Sequence, residues 1–517
     1  MSDIIFPNIP TNELIPLFQL EFGSSAYAGL PNQVSLIIGQ TTNNASDNAP
    51  SLIPNTAWAA NNWGPRSVIA SMAERYLGAD PYGQLWGLGV ADNGAGAAAT
   101  GSIVVSGTAT AAGTLNLYIA GRYVPVAVNI GDTAGAVMSN AAAAINLYLD
   151  SSLVNRYQAR IGDKGVKLPL TASASGGPPA TTLNLTASHK GTLGNAINIA
   201  LNYFASQNQE VTPAGLTVVI TAMSGGTTDP LTNGFAAALG NTAYDFICMP
   251  WATTQALLDF KNLMLDATGR WSWAEQIYGH VWTARTSADN SGSDALSFAS
   301  GSYADDQHMT CVQCEFSVPS TQWDIAATYM AASAASLRAD PALPLQTLYL
   351  PSLMAPRRHQ EFTFAVKQEL LAAGVALMNY APDRSCSILR AVTTYTINPF
   401  GSPDASYRDT ETLYTSMAVV RQLKADCLAK FSRAKLASNG YAFGKGKIAT
   451  PKSIRAQIIA SYRGMEKAGL VENVTGFANG LVVQRNSLDA TRVDVLFDPN
   501  YVSGLRVLAN LVQFSLR

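Results

Sequence analysis

The side chains best equipped for chemistry meet in "HMTCVQC", where His308, Cys311 and Cys314 bring an imidazole and two thiols at a spacing that can supply three zinc ligands. A closed structural site takes a fourth ligand, yet His189, His280 and His359 stand singly in unrelated segments and no second Cys pair exists. Cys311 and Cys314 also fall on a predicted strand, where residues three apart point to opposite faces. The segment reads as buried core, and no metal is expected. The five cysteines, completed by Cys248, Cys386 and Cys427, form an odd and scattered set that fits reduced thiols rather than a disulfide framework.

Other chemistries fare no better. "GAGAAATGS" lacks the Lys-Ser/Thr end of a phosphate-binding loop and leads into a strand. "YAFGKGK" places Lys445 and Lys447 beside Gly444 and Gly446 without a strand-loop-helix frame, so it reads as a loop between two helices. There is no Gly-x-Ser-x-Gly elbow, and four scattered histidines suggest no Ser-His-Asp set. Asp305 and Asp306 read as a solvated turn. Trp271 and Trp273 in "GRWSWAEQ" have no basic patch beside them, so they read as a core and interface pair rather than a base-stacking platform. The expectation is a protein that is not an enzyme and takes no cofactor.

The elements that would carry these residues fall into regimes of different composition. Residues 1–23 are apolar but carry Pro7, Pro10 and Pro16, which forbid a helix and disfavour a central strand, so they read as an arm that either docks on its own domain or reaches a neighbour. This start also lacks the basic region of a signal peptide. Residues 24–94 read as α/β: strand "QVSLIIGQ", helix "PRSVIASMAERYLG" closed by Gly78, and strand "QLWGLGVAD". Residues 95–230 turn poor in charge and rich in Ala, Gly, Ser, Thr and Asn. They predict a hairpin around Ala120 to Arg122, a helix capped by Asp132, strands "TLNLTAS", "AINIALNY" and "LTVVITA", and "ASASGGPPATT" as a loop, together an inserted α+β module.

From 231 the α/β pattern resumes through residue 390, with strands "YDFICMP" and "YGHVWTAR", a surface loop "SADNSGSDALSFASGSYADD", and helices "WDIAATYMAASAASLRAD" and "RHQEFTFAVKQELLAAG". Residues 391–517 form a C-terminal region. A helix is predicted from Thr410 to Leu436 and another capped by Thr450 with Pro451 at its first position. Strands "GLVVQRN", "TRVDVLF" and "RVLANLVQFSLR" follow, the last two separated by a helical turn between Pro499 and Gly504. The fold class is thus multidomain α/β and α+β, with an inserted outer module and extended terminal arms.

Composition narrows the function. Of 517 residues 48% are hydrophobic and only 13% charged, about half the roughly 25% charge usual in soluble domains, which points to surface covered by partner subunits, the alternative being a monomer with a neutral Ser/Thr/Asn/Gly surface. A net charge of −2 leaves no footprint for nucleic acid or an acidic membrane. No run of about 18 apolar residues predicts a membrane span.

Four ordered motifs then carry a resemblance. "RADPALPLQTLYLPSLMAP", with Asp340, Pro341 and Pro344, is similar to a signature of contractile tail sheath proteins, an Asp-Pro run that follows an Ala-rich helix and leads into a strand. "TTYTINPFGSPDASYRDTETLYT" resembles that family's second signature: a Thr-Thr-Tyr strand with Tyr395, then Asn398, a turn with Gly401, Pro403, Asp404 and Tyr407, and a helix start at Asp409. "DATRVDVLFDPNYVSGLRVLANLVQFSLR" and "ELIPLFQLEFGSSAYAG" resemble the two ends of sheaths from Mu-like phages. Residues 95–230 match only loosely.

The resemblance implies that both terminal arms complete β-sheets on neighbouring subunits. Ile5, Phe6, Leu17, Phe18 and Phe22 would do so from the N-terminal arm. On a donor strand at 506–517, Leu508, Val512, Phe514 and Leu516 would face the neighbour's core, with Gln513, Ser515 and Arg517 opposite. It also implies stacked hexameric rings around a tail tube, contraction without nucleotide, partners in the tube, baseplate and tail terminator proteins, and a place in the virion after assembly in the host cytoplasm. The competing expectations are an α/β enzyme with an unrecognised site and another tail component such as a tube or baseplate protein.

Overall fold

The structure is a computed structural model that describes residues 33–43, 45–148, 165–177, 180–398, 400–441, 446–487 and 489–513. The chain divides into two compact units, one holding residues 33–417 with 501–513 and one holding 418–500. The expected start of a C-terminal domain at 391 lies inside the first unit.

In the first unit, residues 35–90 supply β1 (Ser35–Gln40), β2 (Ser51–Leu52) and β3 (Leu85–Val90). Residues 98–224 supply β4 (Ala98–Gly107), β5 (Gly113–Ile119), β6 (Arg122–Val128), β7 (Leu170–Gly177), β8 (Ala180–Lys190), β9 (Ile199–Leu201) and β10 (Leu216–Ser224). Then come β11 (Phe246–Cys248), β12 (His280–Thr286), β13 (Met309–Cys314), β14 (Tyr349–Leu350), β15 (Ala376–Tyr380) and β16 (Cys386–Arg390). Among the described residues the largest sheet has nine strands, in the order β14-β16-β15-β13-β12-β11-β1-β3-β2. Its middle, from β15 to β3, is parallel, and antiparallel strands close both edges. All six positions of β1 and of β13 are buried, as a parallel strand covered on both faces requires. The helices Val68–Ala79 and Gln322–Ala339 bury nearly their whole lengths beside it.

Residues 98–224 build two antiparallel sheets, β10-β4-β8-β7 and β6-β5-β9. The hairpin β5–β6 turns on Ala120 and Gly121, both at positive φ (54° and 70°), the geometry that suits the twist of a two-residue turn. A Cβ at Gly121 would lie 2.9 Å from Ser320 Cα, so the hairpin tip can approach the body only with glycine there.

Several expectations need correction. "ASASGGPPATT" is not a loop: it ends β7 and begins β8, paired from Leu170 with Ala187 to Gly177 with Ala180. Small polar residues of low strand propensity hid it, because cross-strand pairing supplies what propensity lacks. The helix Ala134–Leu147 is capped by Thr133, whose hydroxyl accepts from Ala136 N, while Asp132 accepts from Asn129 N outside the helix. The helix Val68–Ala79 runs through Gly78 instead of stopping there. The predicted surface loop contains the helix Ser293–Ala299, held by buried Ala295. Thr393 to Tyr395 form no strand, only neighbouring isolated bridges, and no helical turn lies between Pro499 and Gly504.

The hairpin is tied to the body by charge. Asp324, on Gln322–Ala339, accepts from Arg122 Nη1 at 2.9 Å and from Ser71 Oγ at 2.6 Å, with Arg75 Nε at 3.4 Å. Arg122 Nη2 reaches Glu74 at 3.1 Å. These charged side chains are 4% exposed or less. Burial alone would raise the pKa of Asp324, but Arg122 and Arg75 hold it below the ordinary value.

A second buried acid behaves differently. Glu315 follows β13 and accepts from the Tyr380 hydroxyl, but burial dominates and pushes its pKa up to about 7.

In the second unit the helix Pro451–Lys467 starts at the Thr450 cap that the sequence predicts, and Ser453 closes that cap into a capping box. Tyr462 stacks on Phe477 at 3.8 Å, Phe497 meets the pair edge-on, and the strands Val482–Arg485 and Val493–Leu496 form a hairpin.

Two predictions follow from the buried charges. Asp324→Ala takes away a buried carboxylate that both Arg122 and Arg75 contact, and should lower unfolding free energy by about 3–5 kcal/mol in urea titrations. Glu315 has a folded pKa above its unfolded one, so its stabilising share is present below about pH 4.5 and is lost as pH rises through 7. Glu315→Gln should therefore flatten the stability profile between pH 5 and 8 and raise stability at pH 8 by up to about 3 kcal/mol, read from melts across that range.

Candidate assembly surface

The two motif-bearing segments converge at the start of the helix Thr410–Phe431. Asp409 accepts two bonds from Arg390, at the end of β16: Nε at 2.7 Å and Nη2 at 2.9 Å. Two residues on, Glu411 turns inward, 4% exposed, and takes the Leu345 amide at 2.6 Å. Asp340, which ends the preceding helix, accepts from Ala342 N, and Pro341 O accepts from the Thr415 hydroxyl. The Asp-Pro run is thus stitched to the helix start by its own backbone.

The second motif folds on itself. The Tyr395 hydroxyl donates to Asp404 at 2.7 Å, and the Tyr395 and Tyr407 rings meet edge-on at 5.5 Å. Asn398 Oδ1 accepts from Phe400 N and Ser402 N, Gly401 sits at φ 79°, and Ile397 bridges Pro403. Hydrogen bonds from Ser406 and Tyr395 hold the Asp404 carboxyl down, at about 2. These turn residues are local punctuation; Asp409 alone among them is part of the charged cluster.

Into that cluster comes the C-terminal segment. Arg506 Nη2 lies 3.0 Å from Glu411 Oε2 and 3.3 Å from Asp409 Oδ1, close ion pairs rather than aligned hydrogen bonds. Gln346 Nε2 donates to Leu505 O at 3.1 Å, and Gly504 packs on Pro344, where a Cβ would stand 2.6 Å from Cγ. Burial raises the pKa of Glu411, against the pull of Arg506.

Beyond Arg506 the chain has no strand partner through residue 513. Leu508 is 74% and Val512 82% exposed, and Val507 and Leu511, in the opposite phase, are equally bare. The described part of the predicted donor strand beyond Arg506 is therefore unpaired, with apolar residues in both phases. Ile5, Phe6, Leu17, Phe18, Phe22, Phe514 and Leu516 lie outside the described residues. The sequence reading missed Arg506, Glu411 and Arg390; the one signal was a lone cation set between Leu505 and Val507.

The residues first singled out for chemistry are held in structural roles. Cys311 and Cys314 are fully buried, which pushes the Cys311 thiol up to about 12 and the Cys314 thiol well above its ordinary value. His308 pairs with Asp306 at 2.9 Å and lies 3.3 Å from Asp266. Burial opposes its charge, but these carboxylates raise its pKa to about 9. Asp306 is buried, not solvated as expected, because its carboxylate serves His308. Trp271 packs against His308 and Tyr278, while Trp273 is exposed. No helix among the described residues is long and apolar enough to cross a membrane. Asp409→Ala should cost about 1.5–3 kcal/mol in chemical denaturation, because it frees Arg390 and leaves Arg506 one carboxylate instead of two.

Known proteins share this arrangement of sequence. The phage tail sheath protein central domain matches residues 225–394, and the phage tail sheath C-terminal domain matches residues 402–515. A Mu-like prophage FluMu tail sheath protein of Haemophilus influenzae is 31% identical over 519 aligned residues, which cover 99% of this chain and all of that one. Among solved structures, a sheath tail protein from Desulfitobacterium hafniense aligns at 11% identity and a TM-score of 0.43 over 94% of this chain and 100% of that one. One from Listeria innocua aligns at 11% and 0.44, over 91% and 92%. With two domain matches in order and a relative alike from end to end, the chain belongs to the phage tail sheath family, whose members are structural proteins and not enzymes.

Proposed function

We propose that this protein polymerises as stacked hexameric rings around a tail tube, linked by strand exchange of its terminal arms, and contracts to drive the tube through a cell envelope. The observation that carries the reading is the segment from Val507 to Val512, anchored at Arg506 and then unpaired, with apolar side chains in water. A strand edge of this kind is a template for another chain. Once it is added to a neighbour's sheet, about six ladder bonds contribute roughly 1 kcal/mol each, and each buried apolar side chain roughly 1.5–3 kcal/mol. Those gains stand against an ordering cost of roughly 1–2 kcal/mol per residue of the segment.

In this reading Leu508, Val512, Phe514 and Leu516 face the receiving subunit, and Ile5, Phe6, Leu17, Phe18 and Phe22 play the same part from the other arm. Residues 24–94 and 231–390 form the body, 391–517 the C-terminal domain with its donor strand at 506–517, and 95–230 an outer module that varies among sheaths. The sheet-bearing body, rigid because its central strands are buried on both faces, swings as a unit while the arms stay paired and bend. Energy stored at assembly drives the change, with no nucleotide. The partners are other copies, the tube, the baseplate and the tail terminator, in a particle assembled in the host cytoplasm.

Deleting residues 508–517 should leave a folded subunit that forms no polymer. Hollow cylinders from that truncation in negative-stain micrographs would sink the donor-strand reading.

A further inference from the structure

The C-terminal segment changes character within one residue. Through Arg506 it is held: Gly504 rests on Pro344, Gln346 binds the Leu505 carbonyl, and Arg506 stands between Asp409 and Glu411. From Val507 to Gln513 it is in solvent. We propose that Arg506 is a latch which pins the root of the arm to its own subunit, so that the arm pivots at Val507 rather than at the end of the C-terminal unit. The proposal rests on the arm acting as a donor strand, and adds where it bends.

The physical reason is the burial of Glu411. Its carboxylate is 4% exposed, with Leu345 N on one oxygen and the Arg506 guanidinium beside the other. If the root lifted, Arg506 would be rehydrated, but Glu411 would stay in the interior without its cation. Removing one member of a buried pair costs far more than the pair contributes. Asp409 is different, since it keeps the bidentate bond to Arg390 whether or not Arg506 is present. Glu411 therefore makes lifting the root costly, and the chain moves where nothing holds it. Val507, Leu508, Ala509 and Asn510 have no such tie, so bending there breaks no ion pair.

The latch also has a consequence for assembly. A donor strand tethered at residue 506 searches a small volume, and a freed root would have to be ordered again on each binding event. Pinning the root lowers that cost and fixes the reach of the arm to the neighbour.

Limited chymotrypsin cleavage after Leu505 in the unassembled full-length subunit tests the latch, and sedimentation of polymer tests its use. Arg506→Ala combined with Glu411→Gln removes the latch without leaving a buried charge, and Gln346→Ala weakens it on the uncharged side. Both should speed initial cleavage after Leu505 by about tenfold or more without speeding cleavage in the sheet core. Both should raise the protein concentration needed for polymer, the double variant more. Arg506→Lys should slow cleavage only part of the way back, because one ammonium cannot serve two carboxylates and the Gln346 Oε1 that Arg506 Nη1 meets at 3.4 Å.

Unchanged cleavage after Leu505 in the double variant overturns the latch. So does a wild-type polymerisation threshold in that variant. Polymer from the 508–517 deletion would instead overturn the donor-strand reading and leave the cleavage test of the root standing.

Discussion

A carboxylate that stays ionised in the interior must have a cation at hand, and the first unit depends on that requirement at Asp324. This side chain sits on a helix that covers the nine-stranded sheet, and it is met by Arg75 from a second helix and by Arg122 from the tip of a hairpin built in the 98–224 region. The hairpin reaches it only because Gly121 allows its tip to lie against Ser320. Charge and close approach are thus one device: glycine brings the arginine in, and the acid keeps it there. Such a pair adds little stability relative to an apolar core, but it is costly to break, so it fixes position.

The same rule operates at Glu411, with the opposite use. There the cation comes from the C-terminal segment, so that the acid holds a piece of chain which would otherwise be free. The Asp-Pro run contributes the seat for that segment at Pro344, and the helix start contributes the acids. Residues that looked like turn punctuation in the sequence, Asp340 to Pro344 and Asp409, are therefore at once local stops and the floor of the arm's attachment. A family of structural proteins has no reacting group to position, and here the precision is spent on where the C-terminal segment is held.

How far the molecule was legible beforehand depended on how local each determinant was. The buried strand "SLIIGQ", the hairpin at Ala120 and Gly121 and the cap at Thr450 could be read directly, because hydrophobic runs, positive-φ turns and capping boxes act within a few residues. "ASASGGPPATT" could not, since its strand character comes from β8, and the helix Ser293–Ala299 hid in a polar run because it is short. Asp306 looked like a solvated turn residue until His308 was seen to fold back on it.

By itself the sequence determined the family, the alternation of strands and helices in the body, and the apolar character of the segment after Arg506. These rest on residue order, on periodicity and on composition, which survive without a fold. Only the tertiary structure decided that Arg122 meets Asp324 across 202 positions and that Arg506 meets Glu411 across 95, and hence where the arm is held and where it is released. Pairings over such distances carry no local signature, because any buried acid can take any cation that the packing of the chain brings within reach.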